Sequence, residues 1–193
     1  MMTTTRVFAS DLLSGIVKAQ GLRKSDNILV YLTKTPDQIT PPQEAFVLDQ
    51  DNLTFLPHIL VIPLGSTVAF PNNDKVDHNI FSLSRTKKFN FGSYKPGESQ
   101  NVIFDKPGIV ELRCDLHSEM ISYILVIKNS YFALTDKKGN FTLDVTGLAK
   151  GKYTLKTWHE KLKNSKMAID LAATAGKKLT INLKRGASGV LYK

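Results

Sequence analysis

Residues 110–120 read VELRCDLHSEM, the most informative stretch of this 193-residue chain. Val110, Leu112 and Cys114 alternate with other residues, which predicts a β-strand that turns these three side chains to its buried face. The strand ends at the one cysteine of the chain, and the loop after it offers an imidazole at His117 and a thioether at Met120. The stretch therefore predicts a set of soft metal ligands at the end of a strand.

A thiolate, an imidazole and a thioether together favour copper. A second histidine would complete a trigonal His₂Cys plane with a weak axial methionine, the arrangement of blue (type 1) copper sites. His78 is the natural donor because it follows the apolar residues 67–70 and the polar turn that contains Asn72 and Asp74. We therefore predict one mononuclear type 1 copper, and the predicted ligands are His78, Cys114, His117 and Met120.

Other interpretations of the same residues remain open at this stage. A buried cysteine or a loop methionine, taken singly, is most often a packing residue. A His₂Cys zinc site with an open water position is the main chemical competitor, although zinc gains little from a thioether. Cys114 and His117 could form a nucleophile pair, but acyl transfer needs a base held opposite the thiolate. A single cysteine excludes both a disulfide within the chain and a binuclear copper site with two bridging thiolates.

Motifs of other enzyme classes do not occur in the chain. The sequence has no glycine-rich phosphate loop, no Gly-x-Ser-x-Gly elbow and no His-Glu-x-x-His pair. His58 and His159 are more typical of packed or surface histidines than of ligands, and a second metal site built from them has no support in the sequence. We therefore expect a binding or carrier protein and not an enzyme.

Short apolar blocks separated by turn residues predict an all-β chain made of sandwiches. The predicted strands are 15–18, 28–33, 59–62, 67–71, 79–83, 100–104, 108–114, 123–128, 132–135, 141–145, 151–159, 168–171 and 178–183. The proline-rich residues 35–42 and the pair Asn129-Ser130 look like crossings between two units. The stretch 87–92, KKFNFG, is interpreted as a loop and strand edge and not as an RNA-reading surface.

The central part of the chain, residues 65–128, resembles a cupredoxin of the plastocyanin and amicyanin kind. The matching pieces are GSTVAFPNND at 65–74, His78-Asn79, KPGE at 95–98 and FDKPGIVELRC at 104–114. The Cys-x₂-His-x₂-Met loop has the short spacing of amicyanin, and residues 55–62 resemble bacterial methylamine utilization proteins. The resemblance implies a Greek-key sandwich that carries single electrons through one type 1 copper.

The resemblance also implies a role for each site residue. His78, Cys114 and His117 would be equatorial ligands, Met120 the axial ligand, and Asn79 the residue whose hydrogen bonds tether the two ligand loops. Electrons would leave through the exposed edge of His117, inside an apolar rim for which Leu116, Ile80 and Met120 are the candidates. Leu116 stands where plastocyanin and amicyanin loops carry proline, so the resemblance does not imply a reduction potential.

Residues 131–159 resemble the carboxypeptidase regulatory-like, transthyretin-type β-sandwich, an immunoglobulin-like architecture. The Gly-x-Val strand and the apolar strand that open that family occur here at 15–17 and 28–32. We therefore expect the cupredoxin unit to be inserted in, or joined to, a second sandwich. The predicted boundaries are 36–128 for the copper unit, 10–35 plus 129–185 for the discontinuous second sandwich, and 186–193 for a flexible tail.

The charge of the chain is divided unevenly. Residues 1–128 hold 13 basic and 13 acidic residues, and residues 129–193 hold 13 basic and 4 acidic ones, which accounts for the net charge of +9. The lysines are scattered, so we expect no nucleic-acid partner, and no apolar run is long enough for a membrane span. The expected partner is a c-type cytochrome or an oxidoreductase with an acidic docking face.

Two other functions remain open beside the electron carrier. The same ligands could capture or deliver copper without redox turnover, or the chain could be a purely structural pair of sandwiches. Blue copper proteins work where copper is delivered, so we expect a periplasmic protein whose leader is absent from this sequence. No apolar leader segment is visible at the N-terminus.

Overall fold

Segments in which every second residue is apolar form β-strands in the computed structural model. The structure describes residues 11–36 and 39–186. The strand Thr67–Pro71 is typical, because it buries Val68 and Phe70 completely while its other residues remain partly exposed. The described residues form 17 strands and one helix of four residues. The prediction of an all-β sandwich protein is confirmed. The predicted tail lies almost wholly outside the described residues.

The described residues divide into two units. One unit consists of residues 11–36 and 131–186, and the other of residues 39–130. In each unit, a backbone hydrogen bond joins the two segments that lie next to the two crossings of the chain. The Leu32 N–H donates to the Tyr131 carbonyl at 2.9 Å in the first unit, and the Ile39 N–H donates to the Lys128 carbonyl at 3.2 Å in the second. The chain therefore leaves the first unit and returns to it through neighbouring strands. Among the described residues, no helix is both long enough and apolar enough to cross a membrane.

The first unit contains two sheets. A three-stranded sheet has the order β14-β1-β17, in which β1 is antiparallel to β14 and parallel to β17. A four-stranded sheet has the order β13-β2-β15-β16, and all its pairs are antiparallel. The elements are β1 (Leu12–Gln20), β2 (Leu29–Thr33), β13 (Phe132–Leu134), β14 (Asn140–Asp144), β15 (Lys152–Trp158), β16 (Lys166–Asp170), α1 (Leu171–Thr174) and β17 (Lys178–Lys184).

The two strands from the N-terminal part occupy interior positions of these sheets. β1 lies between β14 and β17, and β2 lies between β13 and β15. Both contribute buried apolar residues to one core together with residues of the later strands. The first unit therefore depends on strands that are separated in sequence by about a hundred residues.

Gly139 allows the turn between β13 and β14 to approach β1 closely. Its φ of +86° lies in the left-handed region, and a Cβ there would meet the Val17 carbonyl oxygen at 2.2 Å. We expect Gly139→Ala to lower the free energy of unfolding by at least ~3 kcal/mol, because backbone strain and overpacking add. Gly147→Ala is the matched control, since its φ is +85° with no atom within 4 Å of the new Cβ. Its expected loss is only about 1–2 kcal/mol; equal losses in urea unfolding would contradict the steric argument.

The second unit is a sandwich of a five-stranded and a three-stranded sheet with a short hairpin. The five-stranded sheet has the order β6-β12-β11-β8-β9, the three-stranded sheet the order β10-β7-β3, and the hairpin joins β4 and β5. The strands are β3 (Phe46–Val47), β4 (Asp49–Asp51), β5 (Thr54–Leu56), β6 (Ile59–Pro63), β7 (Thr67–Pro71), β8 (His78–Ser82), β9 (Phe89–Tyr94), β10 (Ser99–Ile103), β11 (Gly108–Arg113) and β12 (Ile121–Ile127).

Side chains of both larger sheets meet in one hydrophobic core. Phe70 and Val102 come from the three-stranded sheet, while Ile80, Leu112 and Ile124 come from the five-stranded sheet. All five are buried. This packing fixes the ends of β8 and β11, from which the predicted metal ligands extend.

Several elements of the second unit were not predicted. They are the short strands β3, β4 and β5 and the complete strand β9, which is the edge strand of its sheet. The β4–β5 turn is made by Asn52 and Leu53 with φ values of 50° and 56°. Neither glycine nor proline stands in that turn, so the sequence lacks the usual signal for a hairpin.

Candidate metal centre

The topology brings the predicted ligands to one end of the five-stranded sheet. β8 and β11 are antiparallel neighbours, so β8 begins beside the point where β11 ends. His78 is the first residue of β8, and Cys114 follows the last residue of β11. His117 lies in the loop that leads into β12.

The three donor atoms of His78, Cys114 and His117 converge. Nδ1 of His78 lies 3.1 Å from Nδ1 of His117, and Sγ of Cys114 lies 3.8 Å from the same His117 nitrogen. All three donors lie within 4.8 Å of one another. Among the described residues, this is the one cluster of three or more such side chains found at metal-binding distances. A His-Cys-His site is therefore present.

The spacing of these atoms fits a single soft metal ion. An ion bound at about 2.0–2.1 Å from nitrogen and about 2.3 Å from sulfur separates its ligand atoms by roughly 3–4 Å. Two of the three pairs, at 3.1 Å and 3.8 Å, fall in this range, and the His78–Cys114 pair lies within 4.8 Å. Two imidazoles and one thiolate suit copper or zinc, and burial of His78 and Cys114 keeps water from most of the cluster.

Met120 lies at the base of the ligand loop. Its backbone N–H donates to the His117 carbonyl at 3.0 Å, which closes the turn between the two residues. The side chain is buried in the same hydrophobic cluster as Cys114. The Met120 side chain is therefore packed into the core of the second unit and not exposed on the loop.

Asn79 connects the two ligand segments. Its backbone N–H donates to Cys114 Sγ at 3.4 Å, and its side-chain oxygen accepts from the Asp115 N–H at 3.2 Å. Its amide nitrogen donates to Asn90 Oδ1 at 2.8 Å, on the neighbouring strand β9. These hydrogen bonds hold the cysteine loop against the start of β8 and place one donor on the sulfur, the interactions that orient a ligand and adjust its basicity.

The segment before His78 is also fixed by buried polar groups. Asn72 donates through Nδ2 to the Val76 carbonyl at 3.0 Å and to the Tyr94 carbonyl at 3.2 Å. Tyr94, which pairs with His78 across β8 and β9, donates its hydroxyl to the Phe70 carbonyl at 3.0 Å. Burial raises the pKa of Tyr94, so the phenol remains protonated and keeps this hydrogen bond.

The outer nitrogen of His78 has a partner that the sequence analysis did not assign. His78 Nε2 lies 2.9 Å from Asp74 Oδ2. Sequence reasoning treated Asp74 only as part of a turn motif, although the spacing of four residues before a candidate ligand could have suggested a contact. The pair is mostly buried, because the side chains of His78 and Asp74 are 0% and 9% exposed.

The predicted apolar rim requires a correction. Leu116 is 53% exposed beside the partly exposed His117, but Ile80 is 0% exposed and belongs to the hydrophobic core. Ile80 and the buried Met120 therefore cannot form an exposed rim. Ile80 lies two residues after the buried His78 on β8, so both side chains face the core of the second unit. Leu53 and Val76, both exposed, lie on the segments that contact Asp74 and Asn72.

The other two histidines lie apart from this cluster. His58 is exposed, with Nδ1 3.1 Å from the Ile121 carbonyl oxygen and its ring edge-on to Tyr123. His159 belongs to the first unit, where its Nδ1 accepts from the Lys161 N–H at 3.1 Å. Nε2 of His159 also lies 3.4 Å from Glu160 Oε2, and neither His58 nor His159 belongs to the His78–Cys114–His117 cluster.

No protein-family model and no curated protein matches the sequence. Among solved structures, the chain is similar to a purple cupredoxin from Nitrosopumilus maritimus, at 24% identity over 42% of this chain and 99% of that chain, with a TM-score of 0.39. It is similar to a reduced variant of amicyanin, at 18% identity over 51% of this chain and 98% of that chain, with a TM-score of 0.42.

A third similar structure is a Cu-containing nitrite reductase (NirK) from Thermus scotoductus SA-01. The identity is 20% over 58% of this chain, the TM-score is 0.43, and this chain spans only 28% of the length of that protein. At this level of similarity, none of these proteins' activities carries over to the chain.

Proposed function

We propose that the protein is a type 1 copper protein of the cupredoxin family that carries single electrons between redox partners and catalyses no reaction itself. The observation that carries the proposal is the convergence of His78, Cys114 and His117 at 3.1 Å and 3.8 Å, within a buried end of a β-sandwich. Copper bound there would supply a Cu(II)/Cu(I) couple with a thiolate ligand.

The residues around the donors support transfer of electrons with little rearrangement. Asn79 ties the cysteine loop to β8 and β9, and Asn72 fixes the turn before His78. A rigid set of ligands favours rapid electron transfer, because the two oxidation states are then held in similar geometries. His117 is the partly exposed member of the cluster, so its ring gives the shortest route to a docked partner.

We propose that the partner is a redox protein such as a c-type cytochrome or an oxidoreductase, and that the exchange takes place in the periplasm. Exposed Leu116 would form part of the docking surface next to His117. An acidic face on the partner would be attracted by the basic residues of the first unit.

The test is an optical and EPR spectrum of purified apo-protein after addition of one equivalent of Cu(II). We expect an intense visible thiolate-to-copper band and narrow hyperfine splitting. A weak d–d spectrum, or a site that binds only zinc, would contradict the proposal.

Copper delivery is the second candidate, favoured by the partial exposure of His117, through which copper could also be transferred. The two functions differ in rates that can be measured on the same sample. A carrier exchanges electrons rapidly and retains its metal, whereas a delivery protein releases copper to a chelator or a partner and exchanges electrons slowly. Stopped-flow reduction and isotope exchange of copper therefore distinguish them.

Met120→Leu is expected to keep the visible band and to raise the reduction potential. The thioether is a weak axial donor that stabilises Cu(II), and leucine fills a similar buried volume without a donor atom. Spectroelectrochemistry measures the potential of both forms. Met167→Leu is the matched control, because Met167 packs against the core of the first unit. The reduction potential of this variant should equal that of the wild type. An unchanged potential in Met120→Leu would remove Met120 from the site.

A further inference from the structure

Asp74 makes three contacts in which its carboxylate accepts hydrogen. Oδ2 accepts from the Leu53 N–H at 2.7 Å and lies 2.9 Å from Nε2 of His78, and Oδ1 accepts from the Lys75 N–H at 2.7 Å. Its own N–H donates to Asn72 Oδ1 at 3.1 Å. Asp74 is therefore held on several sides before it meets the histidine ring.

The Asp74 carboxylate acts as a hydrogen-bond acceptor at both of its oxygens. Oδ2 accepts from the Leu53 N–H and Oδ1 accepts from the Lys75 N–H. An ionised carboxylate only accepts hydrogen bonds, so the proton shared with His78 belongs to Nε2. Nδ1 of His78 is then the nitrogen with a free lone pair, and it is the nitrogen that faces His117 at 3.1 Å.

The β4–β5 hairpin fixes the direction of the contact. Leu53 donates to Asp74 from a turn in which Asn52 and Leu53 both have positive φ, and Asp51 and Thr54 pair directly on either side of it. The hairpin, Asp74 and His78 thus form a continuous chain of hydrogen bonds from the surface to the cluster.

We propose that Asp74 is a positioning residue for the metal centre: it holds His78 in the Nε2–H tautomer, with Nδ1 directed at the metal, and makes the imidazole a stronger donor. This proposal rests on the proposed function for its effect on copper. A more basic imidazole stabilises Cu(II) more than Cu(I), so Asp74 lowers the reduction potential.

The first part of the test uses the apo-protein and needs no metal. Nitrogen-detected NMR of the histidine rings reports which nitrogen of His78 is protonated. We expect Nε2–H in the wild type, and a mixture of tautomers or a faster-exchanging Nε2–H in Asp74→Ala. A wild-type ring protonated at Nδ1, or identical spectra in Asp74→Ala, would overturn the proposal.

The second part measures Cu(II) and Cu(I) affinity with competing chelators, together with the reduction potential. Loss of such a hydrogen-bond partner costs roughly 10–100-fold in metal affinity, and we expect the larger loss for Cu(II). Each tenfold difference between the two losses raises the potential by about 59 mV. Equal losses for both oxidation states, with an unchanged potential, would show that Asp74 acts only on stability.

Two further variants keep this test decisive. Asp77→Asn is the matched control, because it removes the same charge from an exposed residue next to His78 and should leave tautomer and potential unchanged. Asp74→Asn keeps the size of the side chain and a neutral acceptor. Its reduction potential should therefore lie between those of the wild type and of Asp74→Ala. Asp74→Asn also replaces the alanine variant if that variant does not fold. If the wild type binds no copper, the proposed function fails, while the apo-protein spectra still decide the role of Asp74.

Discussion

Replacement of Cys114 by serine is expected to abolish the intense visible band of the copper-loaded protein. The band requires a thiolate bonded to Cu(II), and Cys114 is the one cysteine of the chain. A hydroxyl oxygen is a harder donor that does not transfer charge to Cu(II) at visible energies. The expected loss is complete, with only weak d–d absorption left if His78 and His117 still hold the ion.

Optical titration with Cu(II), followed by EPR of the same sample, measures this effect. Ser118→Ala is the matched control: Ser118 is an exposed residue of the same loop, so its replacement changes the loop but not the sulfur ligand. We expect a wild-type spectrum for the control. A Cys114→Ser protein that kept the wild-type band would remove Cys114 from the metal site.

The candidate site was largely predictable because its ligands lie close together in sequence. Cys114, His117 and Met120 share one loop, and alternation along the preceding strand directs the cysteine inward. His78, 36 residues upstream, could be assigned because it follows a clear strand and a polar turn. Sequence spacing therefore identified the candidate donors, and the structure brings three of them, His78, Cys114 and His117, within 4.8 Å of one another.

Asp74 and Ile80 show where this reasoning ends. The contact of Asp74 with His78 depends on a turn that is shaped by a hydrogen bond from Leu53, more than twenty residues away. Ile80 was proposed for an exposed rim from the family resemblance alone, whereas the structure buries it in the hydrophobic core. Both depend on backbone geometry and not on residue type.

The fold was predictable where strands are long, apolar and bounded by glycine or proline. The predicted strand 67–71 has the observed bounds, and most others differ by one to three residues at their ends. The missed strands are short or lie at an edge: β3 has two residues and pairs with only one neighbour, β7. Edge strands bury few side chains, so their hydrophobic pattern is weak.

Residues 131–193 are expected to remain unfolded when they are produced alone. Without β1 and β2, both sheets of the first unit lose an interior strand, and β17 loses the partner with which it pairs along seven residues. The fragment also loses apolar side chains that are buried in the intact unit: Leu13, Val17, Ile28, Leu29, Val30 and Leu32. Each is worth roughly 1.5–3 kcal/mol, so the loss is comparable with the whole stability of a domain of this size.

Residues 36–128, in contrast, are expected to fold and bind copper by themselves. Their core is formed by strands of this range alone, and the Ile39–Lys128 hydrogen bond holds the two ends together. Circular dichroism and thermal unfolding of both fragments measure the difference. The matched control joins residues 11–35 to 131–186 through a short glycine–serine linker, which restores β1 and β2 and should restore cooperative unfolding. Cooperative unfolding of residues 131–193 alone would mean that the later strands form a complete sandwich, and the N-terminal strands would then be an addition to it.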